Sequence, residues 1–348
     1  MNIIIIKSSV LPAARNLNFL LARGRKVRTN TMKKTYMAVL LVLLSLVSLF
    51  IGVGEVSLAA LLRFDPEQWE LLRISRVPRL ISILIAGVSM SIAGLIMQQL
   101  TRNKFVSPTT AGTMDSASFG IMVSLLVFTA AGPLVKMSVA FVFALLGTYL
   151  FMAILNRVKY KDAIFIPLVG LMFGGIVASA TTFFAYKYNL IQSMSAWLYG
   201  DFSMILQGRY ELLYISVPLV VLSYIYANKF TVAGMGEEFS VNLGLNYKQV
   251  VNIGLGLVAL VTAVVVLTVG SIPFLGLIIP NLVTLFRGDN LKDNLTHTAL
   301  LGAVFVLACD ILGRVIIYPY EVSIGLTVGV IGSGIFLYLL MRRKTYEP

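Results

Sequence analysis

The sequence predicts an all-α fold, a polytopic transmembrane helical bundle of about ten spans with both termini cytoplasmic. The first observation is composition. Of 348 residues 58% are hydrophobic and only 12% charged, where soluble domains carry roughly 25% charged residues, and the mean hydropathy is +0.89. The second is the recurrence of apolar runs, most of them near the roughly 20 residues a helix needs to cross a hydrocarbon core of about 30 Å. Short segments alternating at period two, the mark of a membrane barrel, are not seen. The third is the placement of the basic residues. A net charge of +13 would suit nucleic acid if it lay on a soluble face, but its distribution marks one side of a membrane. The expected surroundings are therefore membrane lipid, and no nucleic acid is expected.

Residues 1–31 form a basic tail with Lys7, Arg15, Arg23, Arg25, Lys26 and Arg28 around an apolar patch too short to span. Met32, followed by Lys33 and Lys34, resembles an alternative translation start, which would leave the tail out of the native protein and make 32–348 the transmembrane domain. Lysines before an apolar run also resemble a signal peptide, but this run is long and is one of many. The spans read as 37–54, 78–99, 109–130, 133–155, 163–186, 209–227, 250–269, 274–287, 297–317 and 324–341, the eighth short for a full crossing. With the N-terminus inside, the inner segments hold the tail and its two following lysines, Arg102, Lys104, Arg157, Lys159, Lys161, Lys229, Lys248, Arg287, Lys292, Arg342, Arg343 and Lys344, 20 of the 28 Lys and Arg residues. The excess places both ends in the cytoplasm.

Between the sixth and seventh spans lies NKFTVAGMGEEFSVNLGLNYKQ, from Asn228 to Gln249, a long polar interruption on the inner side. It reads as a solvated loop that docks another protein. Glycines recur at helical spacing, Gly170 with Gly174, Gly325 with Gly329, and Gly87 with Gly94. Close backbone approach at small residues is a main source of contact energy between helices in lipid. Met90, Met97, Met114, Met122 and Met172 suit either gap-filling or an adaptable apolar path. Trp197, Tyr318 and Tyr320 fall where an interfacial aromatic belt is expected.

Two acids lie in or near spans, Asp115 in TMDSASFG and Asp310 in LACDILGR. A carboxylate near the bilayer centre is costly unless paired or wetted, so each is either structural or a coupling-ion site. Asp310 and Arg314 are spaced to pair across one helical turn. RISRVPRL opens the second span with Arg73, Arg76 and Arg79 at successive turns, a cationic stripe against the general charge bias, and Arg314 would join that outer face. Such a stripe suits headgroup snorkelling or the landing of an acidic partner. No GxxxxGK[ST] loop is present, so the chain lacks the usual phosphate cradle for ATP. No catalytic constellation is found, and Cys309 and His297 are each the only residue of their type, which excludes an intramolecular disulfide and a Cys/His metal site. Neither enzyme activity nor a cofactor is expected.

Seven ordered blocks resemble the iron-chelate and cobalamin family of ABC importer permeases, the FecCD type, over about residues 35–343. They are VPRL (77–80), LTRNKFVSPTTAGTMDSASFG (100–120), WLYGDF (197–202), GEEFSVNLGLN (236–246), GSIPFLGLIIPNLVTLFRGDN (270–290), LLGAVFVLACDILGR (300–314) and EVSIGLTVGVIGSGIFLYLLMRR (321–343). The resemblance implies a ten-helix permease in a bacterial cytoplasmic membrane. Its implied partners are a second permease subunit, a related chain or another copy, two cytoplasmic ATP-binding subunits, and an extracytoplasmic substrate-binding lipoprotein or periplasmic protein. It also implies that Arg76, Arg79 and Arg314 meet glutamates of the binding protein, and that Gly236, Glu237, Glu238, Leu243 and Gly244 lie in the region that contacts the ATPase. The common family pattern has Pro-His and a nearby Arg where this chain has Pro280, Asn281 and Thr284, and Pro where it has Ser323 and Gly334. These departures are similar to the subset that carries iron bound to catecholate or mixed siderophores of the petrobactin or anguibactin kind. The alternatives are a permease for haem or cobalamin, or an ion-coupled secondary transporter using Asp115 or Asp310.

Overall fold

A computed structural model describes residues 33–52, 63, 65–157, 165–205 and 210–343. The basic tail and its proposed alternative start lie outside these residues. Fourteen α-helices are found among them. They are α1 (Lys34–Phe50), α2 (Pro66–Leu71), α3 (Val77–Leu100), α4 (Thr113–Val127), α5 (Pro133–Arg157), α6 (Phe165–Lys187), α7 (Ile191–Leu198), α8 (Ser216–Ile225), α9 (Ala227–Ala233), α10 (Glu237–Asn242), α11 (Tyr247–Val269), α12 (Leu275–Arg287), α13 (Leu291–Val315) and α14 (Ile324–Arg343). Helix is the expected answer in lipid, because only it satisfies every backbone N–H and C=O within one segment.

Each of the ten predicted spans is represented by a helix. Four of them, α5, α6, α11 and α13, and the continuous α2–α3 rod are long and apolar enough to cross a membrane. The sixth span is a bent pair, in which a helical stretch over 211–225 meets α9 at 62°. Helices α1, α4, α12 and α14 are apolar but shorter. Two spans form the centre: 72% and 78% of the most apolar stretches of α2–α3 and α11 are buried inside the protein, against 28% for α5 and α6. Helix α1 fully buries only Met37 and Ser48, packs Leu41 and Leu44 against the core, and presents most of its other apolar side chains outward. The all-round apolar sequence of α11 is thus explained by protein contacts, and that of α1 by an expected lipid environment.

The central seams are built on small residues. A methyl group at Gly94 of α3 would fall 1.9 Å from the Gly276 carbonyl oxygen of α12, so the two backbones touch there. Gly87, about two helical turns earlier, meets Gly302 and Ala303 of α13 in the same manner. Gln98 locks the first seam by donating from Nε2 to the carbonyls of Gly276 and Leu277, at 3.4 and 3.1 Å. Met90, Met97 and Met122 fill the core, while Met172 points outward, so these methionines do not line a common path.

Gly94→Ala is expected to force α3 and α12 apart, at the cost of about 1–3 kcal/mol typical of overpacking. A lowered melting temperature in detergent would show it. Gly256→Ala on α11, where no atom stands within 4 Å of the added methyl, is the matched control and should melt no lower than the native protein.

Candidate functional site

The two candidate regions lie at opposite ends of α3, about 36 Å apart for its 24 residues at 1.5 Å per residue. At its N-terminal end a π turn over Leu72–Arg76 precedes Pro78. Proline has no N–H and crowds the carbonyl four residues back, so a widened turn is accommodated there. The widening shifts the helical phase. Arg73 remains exposed, but Arg76 and Arg79 turn inward and are only 6% and 7% exposed. The expected surface stripe of three arginines is therefore corrected to one exposed cation and two buried ones, and Arg314 is buried as well.

Burial of these charges is compensated locally. Arg79 directs Nε and Nη2 to Oδ1 of Asp310, at 3.3 and 2.8 Å, and Nη1 to Oε2 of Glu321 at 2.7 Å. Arg314 Nη2 lies 2.6 Å from Asp310 Oδ2, the pairing its spacing predicts, as an ionic contact. Arg314 also reaches the end of α1, with Nη1 bonding the Ser48 and Ile51 carbonyls at 2.9 and 2.7 Å and Nη2 bonding the Ser48 hydroxyl at 2.5 Å, while its buried Nε has no hydrogen-bond partner. Arg76 Nη1 donates to the same Ile51 carbonyl at 3.2 Å. The last carbonyls of a helix lack intrahelical partners and carry partial negative charge, so they suit guanidinium groups. Four chain segments, α1, α3, α13 and the loop before α14, are thus fastened through one cluster.

At the other end, the stretch expected as a loop folds into two short helices. Helix α9 buries Ala227, Phe230 and Ala233 on one face. Phe230 is fully buried and sits against Gly254 of α11 in a space shared with Leu100 and Ile96 of α3. Gly236, at φ 116°, then redirects the chain into α10. Ser240 ties α10 back to α9 through Oγ, which donates to the carbonyls of Val232 and Gly236 at 3.0 and 2.6 Å. The helix stops at Gly244, whose φ of 76° permits the paired closing bonds Leu245 N–H to Ser240 O and Gly244 N–H to Val241 O, both 2.9 Å. The outer face of this unit carries Met235, Glu238, Phe239, Val241 and Leu243, all exposed, while Glu237 is half-buried. The structure thus brings Gly236, Glu237, Glu238, Leu243 and Gly244 together on one projecting element.

Asp115 lies in the first turn of α4, where the helix dipole favours an anion. Its Oδ2 rests over Gly174 of α6, 2.3 Å from where a methyl group there would stand. Asp310 is held by two cations and Asp115 by a helix start, so each acid has a structural account. Two residues of this architecture escaped sequence reasoning. Glu321 had no periodic signal to mark it, and Asn281, noted only as a departure from a pattern, bridges α12 to the segment after α3 by donating from Nδ2 to the Lys104 carbonyl at 2.7 Å.

A ten-segment helical bundle, with a buried ionic cluster at one end and a projecting pair of short helices at the other, has the architecture of a polytopic membrane protein. The fold matches that of a metal-chelate type ABC transporter solved in an inward-facing conformation, with a TM-score of 0.78 at 22% identity, covering 89% of this chain and 98% of that one. The chain belongs to the FecCD transport family, which it matches over residues 40–342. It is 66% identical over 315 residues to the petrobactin import system permease protein YclN of Bacillus subtilis, covering 90% of this chain and all of that protein. It is 40% identical over 295 residues to the ferric-anguibactin transport system permease protein FatD of Vibrio anguillarum, covering 85% and 94%. Over 306 residues it is 37% identical to the petrobactin import system permease protein FatD of Bacillus anthracis, covering 88% and 90%.

Asp310→Asn removes the anion shared by Arg79 and Arg314. Breaking a buried pair typically costs about 3–5 kcal/mol, so the variant is expected to yield little monodisperse protein on size-exclusion chromatography, with partial recovery in Asp310→Glu. If Asp310 were instead a coupling-ion site, Asp310→Asn would fold normally and lose only uptake.

Proposed function

We propose that this chain is a permease subunit of an ATP-driven importer that moves an iron–siderophore complex across a bacterial cytoplasmic membrane. The observation that carries this reading is the 66% identity to a petrobactin import permease along that protein's whole length. The substrate class is an iron chelate with catecholate or mixed donor groups. In this reading ATP is hydrolysed on separate cytoplasmic subunits, since the chain carries no phosphate-binding loop. A second permease chain completes the membrane unit, and an extracytoplasmic binding protein delivers the chelate at the arginine end.

The chemistry of α10 supports its role as the ATPase contact. Exposed Phe239 and Leu243 offer anchors for an apolar groove, and Glu238 at the rim would fix register more than affinity. Movement of α10 reaches the bundle through Ser240 and Phe230, because the aromatic ring has no free space among Ile96, Leu100 and Gly254. Both termini of the chain then lie in the cytoplasm, on the side of α9 and α10.

The test is uptake of radioactive iron presented as ferric siderophores of catecholate, mixed and citrate type. Uptake restricted to the first two and abolished by inactivating the partner ATPase is expected. Uptake that survives ATPase inactivation and collapses with the proton gradient would overturn the reading in favour of an ion-coupled carrier. Phe239→Asp combined with Leu243→Asp is expected to reduce ATPase co-purification and uptake by about tenfold or more. Membrane insertion should be unchanged, because both side chains are already exposed.

A further inference from the structure

The guanidinium of Arg79 is divided between two unlike partners. Its Nε and Nη2 edge faces Asp310, whose side chain is 3% exposed and is also held by Arg314. Its Nη1 faces Glu321, whose side chain is 19% exposed and stands on the non-helical segment between α13 and α14. Asp310 is therefore the fixed partner and Glu321 the accessible one. The flanking Tyr318 and Tyr320 are 61% and 75% exposed, so this segment borders the outside of the bundle. Within the cluster, Arg76, Arg79 and Arg314 face Asp310 and Glu321, leaving the positive charge in excess by one.

We propose that Glu321 is an internal stand-in for a partner's carboxylate: it occupies Nη1 of Arg79 before docking and yields that position when an acidic group of the binding protein arrives. The proposal rests on the reading that the arginine end meets acidic side chains of an extracytoplasmic binding protein. Exchange of one carboxylate for another at the same nitrogen never leaves a buried guanidinium unpaired, and so avoids the main cost of opening a buried ion pair. Displaced Glu321 can return to solvent on its loop, whereas Asp310 is confined by its helix and by Arg314. Glu321 thus sets the affinity of docking by competition. It also links docking to the packing of α14, which begins three residues later at Ile324.

The experiment uses the assembled permease–ATPase complex in lipid nanodiscs, with ATPase stimulation measured against the concentration of binding protein loaded with ferric siderophore. Glu321→Gln keeps the shape of the side chain and removes its charge. The half-stimulating concentration should fall by roughly threefold or more. An unchanged or raised value would overturn the proposal. Glu321→Asp, which withdraws the carboxylate while keeping its charge, should lower the value to a smaller extent and carries the test if the glutamine variant does not assemble; no fall there overturns it equally. Arg76→Gln and Arg79→Lys in the same assay check the underlying reading. If neither raises the half-stimulating concentration, docking does not use the arginine end; if they raise it while Glu321→Gln changes nothing, docking stands and the competitive role of Glu321 falls.

Discussion

A guanidinium inside a membrane-spanning protein must meet carboxylates, carbonyls or water, because leaving it bare costs several kcal/mol. Arg79 meets that requirement through Asp310 and Glu321, and the rest of the upper bundle follows from the pairing. Asp310 fixes the azimuth of α13 against α3, Arg314 on the next turn of α13 reaches the end of α1, and Glu321 draws in the segment that starts α14. Helix α1 buries little of itself elsewhere, so the arginine contacts to Ser48 and Ile51 are its principal polar attachment among the described residues. A cluster of this kind gives little net stability compared with apolar packing, but it ties the four segments together through directional contacts.

Helix α3 connects that cluster to the projecting helices without an intervening hinge. Below the π turn it is regular from Val77 to Leu100, and its two close seams, Gly87 with α13 and Gly94 with α12, allow backbone contact rather than side-chain interdigitation. Backbone contact transmits displacement with little slack, since no rotamer stands between the two chains. At the far end Leu100 and Ile96 press on Phe230, and Gln99 lies where a side chain at Gly234 would be. The molecule therefore has a stiff central rod held ionically at one end and sterically at the other. The sixth span, by contrast, is divided by a bend of 62° before α9, which sets the projecting helices off from the straight rod.

The ten helical segments were legible in the sequence because lipid imposes one rule on every backbone, and ten apolar runs obey it. The Asp310–Arg314 pair was legible for a local reason, its spacing of one turn. Arg79 with Asp310 was not, since 231 residues separate them and nothing in either segment specifies the other. The inward turn of Arg76 and Arg79 was hidden by the same limitation. A regular helix places them on a surface stripe, and only a π turn before Pro78 changes the phase. Helices α9 and α10 were read as a loop because their sequence is polar and interrupted by Gly234, Gly236 and Gly244. The glycines bound the helices, and tertiary contacts of Phe230 and Ser240 supply the stability that local propensity lacks.

The two ends differ in how they can recognise a partner, and the difference follows from their polarity. The α10 face presents apolar side chains on a short helix closed at both ends by glycine, a rigid shape whose affinity would come from excluding water. The opposite end holds arginines already paired with internal carboxylates, so in the proposed docking an acidic partner exchanges with a carboxylate in place. Exchange of that kind discriminates strongly against partners whose acids are misplaced by even a hydrogen-bond length, because the displaced internal anion returns at once. Under the proposed docking role the buried cluster acts as a site of competition between carboxylates. In that proposal, burial makes recognition conditional on the geometry of the arriving carboxylate.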